Sequence, residues 1–368
     1  MAISIAALRE TGIGERRVAV TPEVVQKLRG EGVEAWLERG AGLTAGFADA
    51  AYADTRLADA DEVLARADIL CCVQPPPQDV TRRLKRGAVL VGQLQPHGAH
   101  ERLQTWAEAG LSAFALELLP RITRAQAMDV LSSQASVAGY RAMLLAAEAC
   151  PKLFPMMTTA AGTLRPARVL VIGAGVAGLQ AMATARRLGA RVEGYDVRPE
   201  TREQVQSLGA KFLELGVEAA GSGGYARELS AEEREAQQQA LAEHLRNVDV
   251  VVTTAAVPGR RAPRILSAAM IDGMQPGSVV VDMAAATGGN CELTEPGGRV
   301  VHAGCEILGP LELAAGAPRH ASEMYARNVM HFVRLLIHDG TLAPDFDDEL
   351  VAATCTVHDG KVRFGPAA

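Results

Sequence analysis

Between Val169 and Pro199 the sequence reads VLVIGAGVAGLQAMATARRLGARVEGYDVRP. A short apolar run comes first, then three glycines at GxGxxG spacing, an Ala-rich helical pattern, and a second apolar run ending at Asp196. Each glycine has its own task in a strand–turn–helix phosphate cradle. Gly173 permits the tight turn, Gly175 lets a pyrophosphate approach the backbone, and Gly178 lets helix pack on strand. The helix that begins at Val176 and Ala177 turns its free N–H groups and positive dipole end toward the phosphates. GxGxxG alone is weak. The preceding strand, the following helix and an acidic residue 21 positions after Gly175 make the combination specific for a dinucleotide. Asp196 is expected to hydrogen-bond the adenosine ribose and to repel a 2′-phosphate. At ~4 Å and an effective dielectric near 20 that repulsion is on the order of 4 kcal/mol per unit charge. Arg198 is near enough to blunt it, but an end-of-strand aspartate is expected to prevail, so NAD(H) is favoured over NADP(H).

Similar units extend in both directions. After the fingerprint come KFLEL, VDVVVTTAA, SVVVDMAA and RVVHAG; before it come ISIAAL (3–8), VEAWLE (33–38), ILCCVQ (69–74), AVLVGQL (88–94) and LSAFALEL (111–118). Amphipathic segments such as TPEVVQKLRGEG and ADEVLARAD separate them. Apolar strands alternating with helices predict parallel sheets covered on both faces. The fold class is therefore α/β, with two doubly wound, Rossmann-like domains separated by a cleft. Residues 1–131 and 305–368 are assigned to a discontinuous first domain, and residues 132–304 to the dinucleotide-binding one. The tail, with an amphipathic helix over 320–340 and a hairpin with a DG turn over 350–364, is expected to return to the first domain. A glycine-rich and then strongly polar stretch near 216–244 fits neither sheet and is expected to be a mobile loop, with Tyr225 as its one aromatic.

Composition narrows the classes. The chain has 368 residues, about half of them hydrophobic, enough for two cores. Its net charge of −6, from 37 basic and 43 acidic residues without a basic block, argues against nucleic acid as a partner. Cysteines 71, 72, 150, 291, 305 and 355 show no metal-ligand spacing and read as reduced core residues of an intracellular protein, so no metal is expected. The start lacks a basic leader with a long apolar run, so no signal peptide is expected, and no stretch has 18 uninterrupted apolar residues.

The segment RITRAQAMDVLSS, Arg121–Ser133, carries polarity between two apolar stretches. Arg121, Gln126, Asp129 and Ser132 share one side if the segment is turn-like or helical. Arg121, Asp129 and Ser132 between them offer both donors and acceptors to a polar group. Alternatively, Asp129 or Ser132 simply caps the helix that comes next.

ERRVAVTPE, RAQAMDVLSSQASVAGYRA, VIGAGVAGLQA, GSGGYARE and VDMAAATGGN together resemble the NAD(H)-binding subunit of proton-translocating NAD(P)+ transhydrogenase, over essentially the whole chain. The resemblance implies that Arg121 and Ser132 hold the nicotinamide carboxamide, that Asp129 fixes the ring and that Gln126 bridges to the second nucleotide. It implies that Tyr225 closes over bound nucleotide, and that Thr253, Thr254 and Ala255 lie beside the ribose and nicotinamide. It further implies hydride transfer from NADH to NADP+, with NADP(H) held on a partner subunit, a membrane proton-channel subunit in the same complex, a homodimer, and a cytoplasmic chain attached to the inner membrane through its partners.

Alanine dehydrogenase shares this fold and is the competing reading, with an NAD-binding regulatory module as a third. An amino-acid dehydrogenase needs groups for a carboxylate and for proton transfer. Against that family's lysine, histidine and aspartate, this chain has Gln74 in VQPP, Gln95 in LQP and Ala286 in AAATGG, and Cys72 is no substitute. Arg17 remains as a possible carboxylate ligand. His97 and His100 read as surface residues of an HGAH loop. Transfer between two nicotinamides releases no substrate proton and needs only that the rings be held face to face.

Overall fold

The computed structural model describes residues 2–216, 230–257 and 259–365. They form two compact units: one from the residues up to Gln134 together with those from Ala315 on, the other Ala135–Ala314. Each is built around its own sheet.

The first unit opens with β1 (Ser4–Ala7), α1 (Pro22–Arg29), β2 (Glu34–Glu38), β3 (Arg56–Ala58), α2 (Ala60–Arg66), β4 (Ile69–Cys72), α3 (Gln78–Thr81), β5 (Val89–Gly92), α4 (His100–Glu108) and β6 (Ser112–Ala115). Side chains alternate across the sheet. Ile5, Ile69 and Val89 enter one core, while Ala6, Leu70 and Leu90 enter the other, so β1, β4 and β5 are buried along their whole length. That two-sided burial explains their near-continuous apolar sequences.

The helix α5 (Val130–Ala149) starts in the first unit and continues in the second. After it come a small hairpin, β7 (Met157–Thr159) and β8 (Gly162–Leu164), then β9 (Arg168–Ile172), α6 (Val176–Arg187), β10 (Arg191–Tyr195), α7 (Arg202–Ser207), β11 (Lys211–Phe212), α8 (Ala231–Leu245), β12 (Val250–Thr253), α9 (Ala268–Asp272), β13 (Val279–Asp282), β14 (Arg299–His302) and β15 (Cys305–Leu308). The chain then re-enters the first unit with α10 (Pro318–Val333), the hairpin β16 (Ile337–His338) and β17 (Thr341–Leu342), α11 (Glu349–Thr354), β18 (Cys355–His358) and β19 (Lys361–Val362).

The first sheet has the order β19-β18-β6-β5-β4-β1-β2-β3 and the second β11-β10-β9-β12-β13-β15-β14. Six parallel strands in each follow the 3-2-1-4-5-6 order of dinucleotide-binding sheets. Antiparallel strands close one edge: β18 and β19 beside β6, and β14 beside β15. Both late hairpins turn on an Asp-Gly pair in the left-handed region, Asp339–Gly340 and Asp359–Gly360.

Three local expectations change. The cut before Cys305 falls inside the second unit, because β15 pairs in parallel with β13 and supplies its sheet with a sixth parallel strand. Part of the expected loop near 216–244 is the regular helix α8, started by a reciprocal Ser230–Glu233 capping box and anchored by buried Leu241 and Leu245. Residues 217–229, including Tyr225, lie outside the described residues. The 350–364 segment begins as helix α11, with Asp348 as its cap, before the hairpin. All six cysteines are free and buried. Among the described residues no helix is long and apolar enough to cross a membrane, and no cluster is suited to a metal ion.

Candidate functional site

In the second unit the sheet order reverses between β9 and β12, and crevices at such points hold ligands in open α/β sheets. The glycine turn sits there. Gly173 has φ +101°, the left-handed conformation that favours glycine. A Cβ on Gly178 would lie 1.8 Å from the Gly173 carbonyl oxygen, so the close packing of helix on strand depends on its absence. Gly175 differs. Its φ is ordinary, and a Cβ there would meet nothing within 4 Å. The backbone at Gly175 faces open space, as a phosphate cradle requires. It is also the N-cap of α6 and provides no side-chain cap, so the amides of the first turn, at Val176, Ala177 and Gly178, are available to an anion.

Asp196 stands at the end of β10, beside this turn. One carboxylate oxygen accepts from the Ala174 amide at 2.7 Å and from Arg198 Nη2 at 2.7 Å; the other accepts from the Arg198 amide at 2.9 Å and Arg198 Nε at 2.8 Å. Burial pushes the carboxyl up, but the Arg198 guanidinium and the two amides outweigh it and hold Asp196 below its ordinary range. A cavity of about 160 Å³ adjoins it, lined by Tyr195, Asp196, Pro199, Arg202, Phe212 and Leu213 among others. Arg202 lies over the Phe212 ring at 5.2 Å. Pro199, Phe212 and Leu213 give the cavity apolar walls beside the Asp196 carboxylate.

The opposite wall comes from the end of β12. The Thr254 hydroxyl donates to the Ile172 and Gly173 carbonyls, both at 3.3 Å, and so seats the glycine turn. Ala255 is fixed by a residue the sequence reading missed. Asn290 is fully buried, accepts from the Ala255 amide at 3.1 Å and donates to the carbonyls of Ala255 and Pro263, both at 2.8 Å. Its signal was the GGN after β13, a polar side chain beside two glycines in an apolar context. Thr253, expected beside the ribose, is instead wholly buried, and its hydroxyl donates to Asp282 at 3.0 Å. Asp282 also accepts from Ala284 and Cys291 amides and from the Thr294 hydroxyl, so this buried carboxylate is satisfied without a cation.

The Arg121–Ser133 segment lies in the first unit. Residues Thr123–Met128 form a 3₁₀ helix that buries Ala125 and Met128 and leaves Arg121 and Gln126 exposed. Asn328 of α10 donates to the Ala127 carbonyl at 2.8 Å and holds the segment down. Asp129 accepts from the Ser132 amide at 2.9 Å and from the Ser132 hydroxyl at 2.5 Å. Asp129 therefore caps α5, and at the same time takes the proton of the Ser132 hydroxyl. The structure thus brings Asp129 and Ser132 together, and in the other unit Gly173, Gly175, Gly178, Asp196, Thr254 and Ala255.

Also in the first unit, Arg17 and the glutamines at two of the amino-acid dehydrogenase positions, Gln74 and Gln95, meet in one network. Arg17 forms a two-pronged pair with Glu15, from Nε at 2.7 Å and Nη2 at 2.6 Å, and donates from Nη1 to Gln134 at 2.8 Å. Gln74 donates to Glu15 at 3.1 Å, and Gln95 donates to Gln74 at 3.4 Å. Arg17 and Glu15 are buried, so this cation, a possible carboxylate ligand from the sequence, already has an internal carboxylate. His97 and His100 are exposed.

Two such sheets, one of them with a glycine turn at its switch point and an acidic residue on the neighbouring strand, define a nucleotide-binding protein of the Rossmann class. Comparison with known proteins narrows this. Residues 6–138 match the N-terminal domain, and residues 142–365 the C-terminal domain, of the alanine dehydrogenase/PNT family, and the chain belongs to that family. It is 42% identical over 374 residues to the first of the NAD(P) transhydrogenase alpha-subunit polypeptides of Rhodospirillum rubrum, covering 98% of this chain and 97% of that one. A solved structure of transhydrogenase from Sinorhizobium meliloti superposes with a TM-score of 0.90 at 43% identity, covering 98% of this chain and 99% of the other. The alanine dehydrogenase of Halomonas elongata is more distant, 28% identical over 380 residues, covering 100% of this chain and 96% of its own.

Proposed function

We propose that the chain is the NAD(H)-binding subunit of a proton-translocating NAD(P)+ transhydrogenase, active with partner subunits and passing hydride from NADH to NADP+ held by a separate NADP-binding subunit. The observation that carries this reading is a contrast within one chain. The second unit has a complete dinucleotide turn, with open space at Gly175. The first unit, where an amino-acid dehydrogenase would place a lysine and a histidine, has Gln74 and Gln95 bonded to each other. Amides cannot serve as general acid and base at neutral pH.

When bound, NADH supplies a hydride, which moves with its electron pair to the nicotinamide of NADP+ without any proton being released. The chain's own residues then need only to bind and orient. The amides after Gly175 bind the pyrophosphate, Asp196 binds the adenosine ribose, and Ala255 lines the nicotinamide end, with Thr253 supporting from behind. Arg121 donates to the nicotinamide carboxamide oxygen. Ser132, its proton directed to Asp129, accepts from the carboxamide NH2. Gln126, exposed and unburdened by the helix cap, reaches toward the partner's nucleotide. Tyr225 closes over the bound nucleotide. In this reading the chain is a homodimer, attached on the cytoplasmic side of the inner membrane through a proton-channel subunit.

The test is stopped-flow transfer from NADH to NADP+ held by the partner subunit, using Gln126→Asn and Arg121→Ala with matched melting curves. Gln126→Asn is expected to bind NADH normally and to transfer hydride on the order of 100-fold more slowly, the cost of about 1 Å of misplacement. Arg121→Ala is expected to weaken binding as well. Full-rate transfer by Gln126→Asn would return the segment to being a helix cap, and reduction of NAD+ by L-alanine would favour the amino-acid dehydrogenase.

A further inference from the structure

Gln237 of α8 is a buried amide outside the nucleotide site, and it donates from Nε2 to the Tyr195 hydroxyl at 2.8 Å. The donor is firmly placed. Gln237, Leu241 and Leu245 recur at four-residue intervals and share one face of α8, where both leucines are fully buried. In the last turn of the helix, His244 Nε2 lies 2.7 Å from a Glu193 carboxylate oxygen and ties α8 to β10. Tyr195 ends that strand, immediately before Asp196. Its backbone is fixed as well, because its carbonyl accepts from the Gly173 amide at 2.8 Å. Its side chain shares a core with Leu170, Ile172, Leu213, Leu241 and Leu245. Tyr195 also contributes to the wall of the cavity beside Asp196, whereas Gln237 is not among the residues lining it. The bond therefore draws the phenol hydroxyl toward α8 and out of the cavity.

We propose that Gln237 is a positioning residue for the nucleotide: by holding the Tyr195 hydroxyl against α8, it keeps the cavity beside Asp196 clear for the adenosine. The proposal rests on the NAD(H) reading of the second unit. A buried phenol needs a hydrogen-bond partner, and the core around Tyr195 is built from aliphatic side chains. Deprived of the Gln237 donor, the hydroxyl gains by turning to the polar rim of the cavity, where the ion pair of Arg202 and Glu214 stands. There the ring takes up space that the adenosine needs. Gln237 touches no part of the nucleotide and acts only through Tyr195.

The experiment measures NADH affinity by nucleotide fluorescence and ADP-ribose affinity by competition on the full chain. The variants are Gln237→Leu alone and Gln237→Leu combined with Tyr195→Phe, each with a melting curve. Gln237→Leu is expected to weaken both ligands about tenfold, the order of one buried hydroxyl left without its partner. Equal loss for the two ligands excludes an effect at the nicotinamide end. The double variant has no hydroxyl to satisfy, so the ring stays in the core and most of the lost affinity is expected to return. Should Gln237→Leu fail to fold, Gln237→Asn, which draws the amide back by one methylene, is read in the same way, alone and with Tyr195→Phe. A bond that serves stability alone gives another pattern, in which the melting temperature falls and the affinities of the folded chain do not move. That pattern overturns the proposal, as does a double variant as weak as Gln237→Leu, or a loss confined to NADH; each leaves the NAD(H) reading standing. Failure of the unmodified chain to bind NADH at all overturns the reading beneath it, and the proposal with it.

Discussion

The two units share a strand order and differ in the connection that leaves the first strand. In the second unit, residues 173–175 connect β9 to α6, leave the first-turn amides of the helix without side-chain caps and give Gly175 open space. In the first unit, residues 8–21 connect β1 to α1 and fill the equivalent end of the sheet with Glu10, Glu15 and Arg17. Those groups satisfy each other and the amides of Val73 and Gln74, as Glu10 accepts from both. The difference teaches where a ligand belongs. A crevice whose polar groups are already paired has nothing to offer a nucleotide, whereas one that presents unpaired backbone donors and no Cβ does.

The strongest way to break this comparison is to disturb the self-satisfied crevice. Glu15→Ala removes the two-pronged carboxylate partner of the buried Arg17, and is expected to lower stability by about 3–5 kcal/mol, the usual cost of breaking a buried pair from one side. Chemical denaturation measures it. A loss under about 1 kcal/mol, the range of a solvent-exposed pair, would mean that water reaches Arg17 and the crevice is open.

Glu10 tests the same crevice through pH. Burial and the neighbouring Glu15 push its carboxyl up to about 7, against the pull of the Val73 and Gln74 amides and Arg17. A raised carboxyl contributes stability that is fully present below its ordinary value near 4.5 and is lost as pH rises through about 7. The loss is at most about 3 kcal/mol. Glu10→Gln is expected to remove that decline, so that the variant gains on the native chain between about pH 5 and about pH 8. Parallel curves for the two chains across that range would exclude it.

The open crevice yields a different pattern. Gly175→Ala meets nothing in the protein and has no backbone strain, so its melting temperature is expected to match the native chain. Its methyl group occupies the space a pyrophosphate needs, and NADH affinity is expected to fall on the order of 100-fold, or about 2.7 kcal/mol. Tight NADH binding by this variant would move the nucleotide elsewhere. The smallest effect is expected at Asp129→Ala, where loss of the α5 cap costs about 1 kcal/mol of stability. If Asp129 also orients Ser132, NADH affinity falls beyond what the melting curve accounts for.

Most of the fold was legible because strand and helix periods are local properties of the chain. Continuous runs such as ILCC and VVVD could only be strands buried on both faces. The elements that escaped detection were short or context-bound. RLA at β3 is too brief to show a period, and CEIL at β15 becomes a strand by pairing with β13 and β14. The same division holds at the site. The GxGxxG turn and Asp196 were readable because their spacing is fixed by one strand–turn–helix unit. Asn290 was not, because its partners, Ala255 and Pro263, lie far from it in sequence.

By itself, then, the sequence determined the α/β class, the glycine turn and the absence of acid and base groups at Gln74 and Gln95, all of which depend on residue identity and near-neighbour spacing. Only the tertiary structure decided how charges are balanced. It paired Arg17 with Glu15, Asp196 with Arg198, and Ser132 with Asp129, and it placed Thr253 behind the site wall, not on it. The physical reason is that the energy of a buried charge depends on distance and solvent access. Both are set by packing between segments, and neither is written in the order of the residues.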